Sequence, residues 1–410
     1  MNLLIVGLNY APEPVGIGPY TAGLAEALVA NGHGVSAVVG QPYYPQWRKD
    51  PAFPDGWHRS LENGVSLIRC PHYVPANPSG FKRLIHLASF ALSALLPALR
   101  LARRERPSVV LVIAPALFSV ATGWFAAKLA GAKLWVHVQD FEAEAALATG
   151  LMPGPATKLA LWLEARLLRL ADRVSTIGPA MVRRLHAKGI APDKTAELRN
   201  WADPRFALDP AGAEAMRREW RLGARKVALY SGNIARKQGI EVLIAAARLL
   251  KQRDDLIFVI CGEGPNRGEL ERLAAGLTNV QLHDLQPAER MGALLGVADL
   301  HLLPQIAGAA DLVLPSKLTN MLASGRAVIA TTAAGTGLAE EVEGCGLITP
   351  PGDAAALAEA MSVLLDDPKR RVALGKAAAK RANERWSKDA IVTRWEAELA
   401  ALLAGGQGPG

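Results

Sequence analysis

Short apolar runs alternate with amphipathic stretches along almost the whole chain. In the first half five runs read as strands buried on both faces: residues 3–7, 35–39, 109–113, 134–138 and 174–176. Apolar positions three and four apart over 20–30 and 158–170 predict helices between them. A second series begins at 226–232 and continues through 256–261, 280–283, 300–303 and 327–330, with a helical pattern over 240–250 after its first member. Strands and helices alternating in this way build open, mostly parallel sheets wrapped by helices, so the expected fold class is α/β with two such domains.

The 410 residues suffice for two domains of ordinary size. Between the two series, residues 200–225 carry two Asp-Pro steps and a glycine, as a linker followed by a short helix would, and the boundary is expected near Asp203. The last six residues, GGQGPG, read as a disordered tail over 405–410. Half of the residues are apolar and a fifth charged, which excludes a disordered polypeptide. Cys70, Cys261 and Cys345 are too scattered for a disulfide framework or a zinc site, and a reducing compartment is the simplest reading. The N-terminus runs from Met1 into LLIVG without a basic region, so no signal peptide and a cytoplasmic location are expected.

The net charge of +8 is unevenly placed. Residues 1–205 hold 22 Lys and Arg against 14 Asp and Glu, and the remainder is balanced. An anionic partner for the first half is implied: a nucleic acid, a phosphorylated substrate or a lipid surface, with solvated helix faces as the plain alternative. Much of the excess lies in 81–106, where Lys82, Arg83, Arg100, Arg103, Arg104 and Arg106 flank the apolar run 84–101 against Glu105 alone. Apolar residues in the middle and cations at the ends fit a helix lying at a membrane surface; core packing is the competing reading. No basic stripe interleaved with aromatics and no nucleic-acid module is present, so a nucleic acid is not an expected partner.

Chemistry concentrates where strands run into glycines. After the first strand comes APEPVGIGPY, with Gly16 and Gly18 just before a helix, where backbone amides form a site for an anionic group. The glycines stand nine residues beyond the strand and a third is missing, so this is no dinucleotide fingerprint and hydride transfer is disfavoured. In the second half YSGNIARKQG brings Gly232, Asn233, Arg236 and Lys237 to a helix start, where two cations can clamp a diphosphate. CGEGP follows, with Glu263 and Gly264, and then DLVLPSKLTNMLASG, with Asp311, Ser316, Lys317 and Asn320. In an open α/β sheet such loops face one edge, where ligands bind. His137 and Asp140 in HVQDFE, with Glu142, stand at a strand end of the first half, where one could accept a proton from a hydroxyl or orient a sugar; helix capping is the alternative for the acids.

The order PxxxGIGxY, SGNIxxKQGIExLI, GEGP and LPSKLTNMLASG, with PYYPxW at 42–47 and the string from Arg69 to Phe90, resembles the retaining family-4 glycosyltransferases of GT-B fold over essentially the whole chain. It is most similar to their WcaI-type branch from colanic acid and other bacterial exopolysaccharide synthesis, whose precedent is transfer of fucose from GDP-fucose. The resemblance implies two Rossmann-like domains facing across a cleft: an acceptor domain over 1–203, completed by a C-terminal helix over 387–404, and a nucleotide-sugar domain over 204–386. It implies that Gly16 and Gly18 approach the donor phosphates, that Lys237, helped by Arg236, neutralises the diphosphate, that Glu263 and Gly264 line the nucleoside pocket, and that Ser316 and Lys317 stand near the phosphates. The acceptor would be a polyprenyl-diphosphate-linked saccharide at the inner membrane, and no metal or other cofactor is expected.

One departure from the family pattern stands out. Its two glutamates eight residues apart are replaced by Leu312, with Asp311 beside it, and by Asn320. Asparagine can still hydrogen-bond a ribose hydroxyl without charge assistance, while the first glutamate's role falls to Asp311 or is absent. Two other functions fit the same architecture: an NDP-sugar epimerase or hydrolase, which needs no lipid acceptor, and a non-catalytic nucleotide-binding protein.

Overall fold

The computed structural model describes residues 1–404 apart from 15, 77–79, 115–117, 142–154, 203–206, 236–237 and 307–315, and the side chains of 80, 155–160 and 316. The chain divides into two compact units, Met1–Arg199 with Ile391–Gly410, and Asn200–Ala390. The expected division at 203 and 387 lies within four residues of these limits. The tail 405–410 lies outside the described residues.

The first unit is built on an eight-stranded sheet: β1 (Asn2–Gly7), β2 (Gly34–Gly40), β3 (His58–Glu62), β4 (Val65–Cys70), β5 (Val109–Ala114), β6 (Lys133–Val138), β7 (Arg173–Thr176) and β8 (Thr195–Glu197), in the order β3-β4-β2-β1-β5-β6-β7-β8. All neighbours are parallel except β3 and β4. The central strands are apolar because helices cover both faces of the sheet, as in β5, where all six residues are buried. Periodicity does not find β3, β4 or β8. The first is a mostly polar edge strand, and β4 interrupts its apolar run with exposed Ser66 and buried Arg69. The two are joined by Asn63 and Gly64 at φ of 48° and 82°, the left-handed pair of a two-residue hairpin, so Asn-Gly is the local signal for them.

Helix α1 (Gly18–Ala30) follows β1. The basic apolar segment forms α2 (Gly80–Glu105), which packs on α3 (Phe118–Ala130); Thr122 donates to the Ala91 carbonyl at 3.0 Å between them. The C-terminal helix, Lys388–Ala404, lies against the same sheet from Ile391 onward. Trp395 stacks on Trp135 with ring centroids 4.9 Å apart, Glu396 meets His33 at 3.0 Å, and Glu398 pairs with Arg173 at 3.2 Å.

The second unit holds six parallel strands, β9 (Lys226–Ser231), β10 (Leu256–Cys261), β11 (Val280–His283), β12 (Leu300–Pro304), β13 (Ala327–Thr331) and β14 (Gly346–Thr349), in the order β11-β10-β9-β12-β13-β14. Only β14 escapes the hydrophobic pattern, as a half-buried edge strand of four residues. Asp209, Asp353 and Asp367 each accept a backbone N–H in the first turn of the helix they precede, which is why those helices begin where they do. The two sheets are the two parallel α/β layers that the sequence pattern predicts.

Candidate active site

In the second unit the chain runs outward from β9 to β10 and β11, then returns to place β12 on the other side of β9. Ligands of open α/β sheets bind beyond the carboxyl ends of the strands at such a reversal. The loops after β9 and β10 lie in direct backbone contact there: Ile234 N–H donates to the Glu263 carbonyl at 2.7 Å, and Asn266 N–H to the Ile234 carbonyl at 3.1 Å. A Cβ on Gly262 would stand 1.9 Å from the Gly232 oxygen, and one on Gly264 2.3 Å from the Ile234 oxygen. These glycines therefore let two loops close on each other.

Lys317, the second residue of the helix Ser316–Ala323, reaches the same point. Its Nζ donates to the Tyr230 hydroxyl at 3.0 Å and lies 4.2 Å from the centroid of that ring. The Tyr230 hydroxyl donates in turn to the Asn233 carbonyl at 2.7 Å, and burial raises its pKa above the ordinary phenol value. A Cβ on Gly232, whose φ is 144°, would meet the Lys317 ammonium at 3.2 Å. A cation fixed over bare backbone at a helix start is an arrangement suited to an anionic group. Asn320 lies one turn further along the same face and is half-buried. Glu263 is exposed and paired with Arg267, whose guanidinium also donates to the Gly262 and His283 carbonyls and so pins the loop.

Gly232, Asn233, Glu263, Gly264, Lys317 and Asn320 thus stand on the loops and helix beyond one sheet edge. Arg236, Lys237 and Asp311 lie outside the described residues, as do Glu142 and the side chain of Ser316. Sequence reasoning overlooks Tyr230 and Arg267, which read as an ordinary strand residue and an ordinary helix cation.

In the first unit the reversal falls between β1 and β5, and the loop after β1 carries Gly16 and Gly18. Gly16 has a φ of 77°, and α1 starts at Gly18 without a side-chain cap. Both glycines are also needed by the loop itself: a Cβ on Gly16 would be 3.2 Å from Tyr44 Cε1, and one on Gly18 would be 3.0 Å from the Tyr10 carbonyl oxygen. Glu13, which the sequence reading passes over, is buried beside Gly18. It accepts the backbone N–H groups of Tyr43 and Tyr44 at 3.1 Å each on Oε1 and the Asn9 amide at 2.9 Å on Oε2. Burial raises its pKa, partly offset by these bonds. Behind it the fully buried Arg69 donates to the Ala11 carbonyl at 2.7 Å and to Glu62, tying β4 to the loop.

His137 does not meet the catalytic expectation. It is 3% exposed, its Nδ1 meets Ser175 Oγ at 2.9 Å, and its ring lies edge-on to Trp395. Burial pushes its pKa down to about 3, so it is a neutral core side chain out of reach of an arriving hydroxyl. Its place on a strand buried on both faces explains this. Asp140, two residues beyond β6, is exposed at the strand's carboxyl end.

His301 in the second unit is likewise pushed down to about 3 by burial. Both folded pKa values lie below that of the unfolded chain, so acid protonates the unfolded state first. Stability should be full above about pH 6.5 and fall by about 1.4 kcal/mol per pH unit for each histidine as pH drops toward 3. Urea midpoints measured from pH 7 to 5 should decline, less steeply in His137→Gln; an unchanged slope in that variant contradicts the assignment. The described residues contain no group of three His, Cys, Asp or Glu side chains placed to hold a metal.

Residues 15–201 match the Glycosyl transferase 4-like domain family, and residues 225–367 match the Glycosyl transferases group 1 family. The chain therefore belongs to the glycosyltransferases that join these two domains. It is 41% identical over 353 residues to the putative colanic acid biosynthesis glycosyl transferase WcaI of Escherichia coli K12, covering 84% of this chain and 86% of that protein. Among solved structures, sucrose-phosphate synthase from Thermosynechococcus elongatus superimposes with a TM-score of 0.74 at 21% identity, over 98% of this chain and all of that one. The Anabaena protein HepE in complex with UDP-glucose gives 0.69 at 17% identity over the same shares. The fold is GT-B, and the protein is a glycosyltransferase.

Proposed function

We propose that the protein transfers a hexose, with retention of anomeric configuration, from a nucleotide sugar to a polyprenyl-diphosphate-linked saccharide in bacterial exopolysaccharide synthesis. The observation that carries the donor half is Lys317, held by Tyr230 over Gly232 at the sheet reversal of the second unit. There its charge would stabilise the diphosphate as it leaves, together with Lys237 and the less essential Arg236. The WcaI relative's name supports exopolysaccharide synthesis and HepE's complex supports a nucleotide sugar, with GDP-fucose or another NDP-hexose as donor. Asn320 would take the ribose hydroxyls. With His137 in the core, Asp140, exposed just beyond the carboxyl end of β6, would orient the acceptor, and the leaving diphosphate can itself take the hydroxyl proton.

This mechanism needs no divalent ion, since lysine, loop amides and helix starts supply the positive field. Transfer in EDTA should proceed at the untreated rate; abolition restored by magnesium or manganese contradicts this. The reading as a whole is tested by incubation with a panel of NDP-hexoses and a lipid-linked acceptor fraction, following the product's anomeric proton by NMR. Transfer with the donor's configuration kept supports it. Release of free sugar alone, or an epimerised donor, assigns the hydrolase or epimerase chemistry instead.

The acceptor half includes attachment to the inner-membrane surface from the cytoplasm. On α2 the residues Leu87, Phe90, Ala91, Ala94 and Ala98 face the core, while Phe81, Ile85, Leu92 and Leu96 form an exposed stripe on the other side. The helix is long and apolar enough to cross a membrane, but its packed face fits a helix lying on one. Trp57 donates to the Ser93 carbonyl beside the stripe, and α3 adds exposed Phe125 and Leu129. Each cation should attract anionic lipid by about 1 kcal/mol. Replacing Arg100, Arg103, Arg104 and Arg106 with glutamine should release the protein from anionic vesicles in flotation while donor binding persists. A variant that floats like the wild type leaves the charge as a solvated face.

A further inference from the structure

A cavity of about 380 Å³ opens beside the glycine loop of the first unit, within the range of roughly 300–1,000 Å³ common for small-molecule sites. Its walls are the rings of Pro12, Pro14, Pro42 and Pro51 together with Tyr44, and its polar groups are Glu13, Gln46, Arg48, Lys49 and Asp50. Two acids face two bases, and Lys49 is already paired with Asp55. A phosphate would meet the buried Glu13 carboxylate without a net positive field to offset it. A neutral ligand with flat apolar faces and hydroxyl donors fits these walls better.

Glu13 can serve such a ligand. A carboxylate has about four acceptor positions. The Tyr43 and Tyr44 amides use both on Oε1 and Asn9 uses one on Oε2, which leaves one position for a hydroxyl. Those three bonds also fix the carboxylate in place at the cavity wall. Tyr43 is committed to the core, packed against Trp47, His72 and His86, whereas Tyr44 is half-buried on the cavity wall. The wall is continuous with the glycine loop, since the positions a Cβ would take on Gly16 and Gly18 touch Tyr44 Cε1 and Glu13 Cβ at 3.2 and 3.1 Å.

We infer that this cavity is a saccharide subsite that holds a sugar unit of the acceptor, with Tyr44 and the proline rings against the pyranose C–H face and Glu13 Oε2 accepting a ring hydroxyl. The inference rests on the proposal that the acceptor is a saccharide. Glu13 acts here as a binding and positioning residue, since it also sets the backbone of Tyr43 and Tyr44.

Saturation-transfer NMR on the full-length chain tests it, with free fucose, galactose, glucose and glucuronate as probes, inorganic phosphate as competitor, and GDP and UDP titrated in parallel. At least one hexose should give a saturable signal that phosphate does not displace. Its affinity should fall by about tenfold or more in Tyr44→Ala and in Glu13→Gln, which keeps the shape but puts an NH2 donor in place of Oε2 and so removes the spare acceptor together with the Asn9 bond. Nucleotide affinity should stay unchanged in both. Should Glu13→Gln lose its fold, Tyr44→Ala and the exposed Gln46→Ala still decide the matter. An unchanged hexose signal in Tyr44→Ala, displacement by phosphate, or no hexose binding beside normal nucleotide binding overturns the subsite. Loss of nucleotide binding in the wild type would instead sink the donor assignment.

Discussion

Replacing Lys317 with alanine is expected to lower kcat/KM for sugar transfer by about a hundredfold or more while the protein stays folded, because one donor to a developing negative charge contributes roughly 3–4 kcal/mol. The fold should survive because the ring and hydroxyl of Tyr230, on which the lysine rests, are themselves held by β9 and the Asn233 carbonyl. The stated role makes a further demand. A lysine whose charge matters mainly as the diphosphate leaves should affect kcat more than the donor's KM. Lys317→Arg keeps the charge but cannot reproduce a compact ammonium seated over a phenol ring, so it should recover only part of the rate. Steady-state kinetics beside a melting curve checks this, and wild-type turnover in a folded Lys317→Ala variant refutes it.

Gly262→Ala is expected to have the second large effect. The added methyl would stand 1.9 Å from the Gly232 oxygen, and that partner is backbone. Either the loop after β10 or the loop after β9 must withdraw, breaking contacts such as Ile234 N–H to the Glu263 carbonyl. Overpacking of this kind costs about 1–3 kcal/mol, occasionally more. Unfolding of the second unit should begin at lower temperature, and affinity for nucleoside diphosphates should fall further than stability alone explains, because the displaced loop carries Gly232. Gly268→Ala is the control: a Cβ there meets nothing, and it should bind nucleotide normally. Equal binding by the two variants contradicts a role for the loop contact.

What could be read from sequence follows the physics of burial. Strands covered on both faces, such as β5 and β10, are uniform apolar runs bounded by glycine and are legible with no other information. The edge strands β3 and β14 bury less and show no such run; the Asn63-Gly64 turn was the available clue for the first. Loop glycines could be placed as candidate sites because their positions require bare backbone. His137 shows the limit of that reasoning, since a titratable residue at a strand end is drawn equally well to a site or to the core, and the Trp395 ring that decides the matter comes from 258 residues further along the chain. Glu13 was missed for the converse reason: its partners are backbone amides of residues 43 and 44, and nothing local marks a carboxylate destined for burial.

The central claim is that the loops and helix beyond β9, β10 and β12 bind the diphosphate of a nucleotide sugar through Lys317. Calorimetric titration of the full-length wild type and Lys317→Ala with GDP, UDP, GDP-fucose and UDP-glucose tests it most directly. At least one nucleotide should bind the wild type saturably, and the variant should bind the same nucleotide more weakly by about tenfold, the loss of one charge-assisted contact. Equal affinity in both proteins, or no nucleotide binding to the folded wild type, would contradict the account.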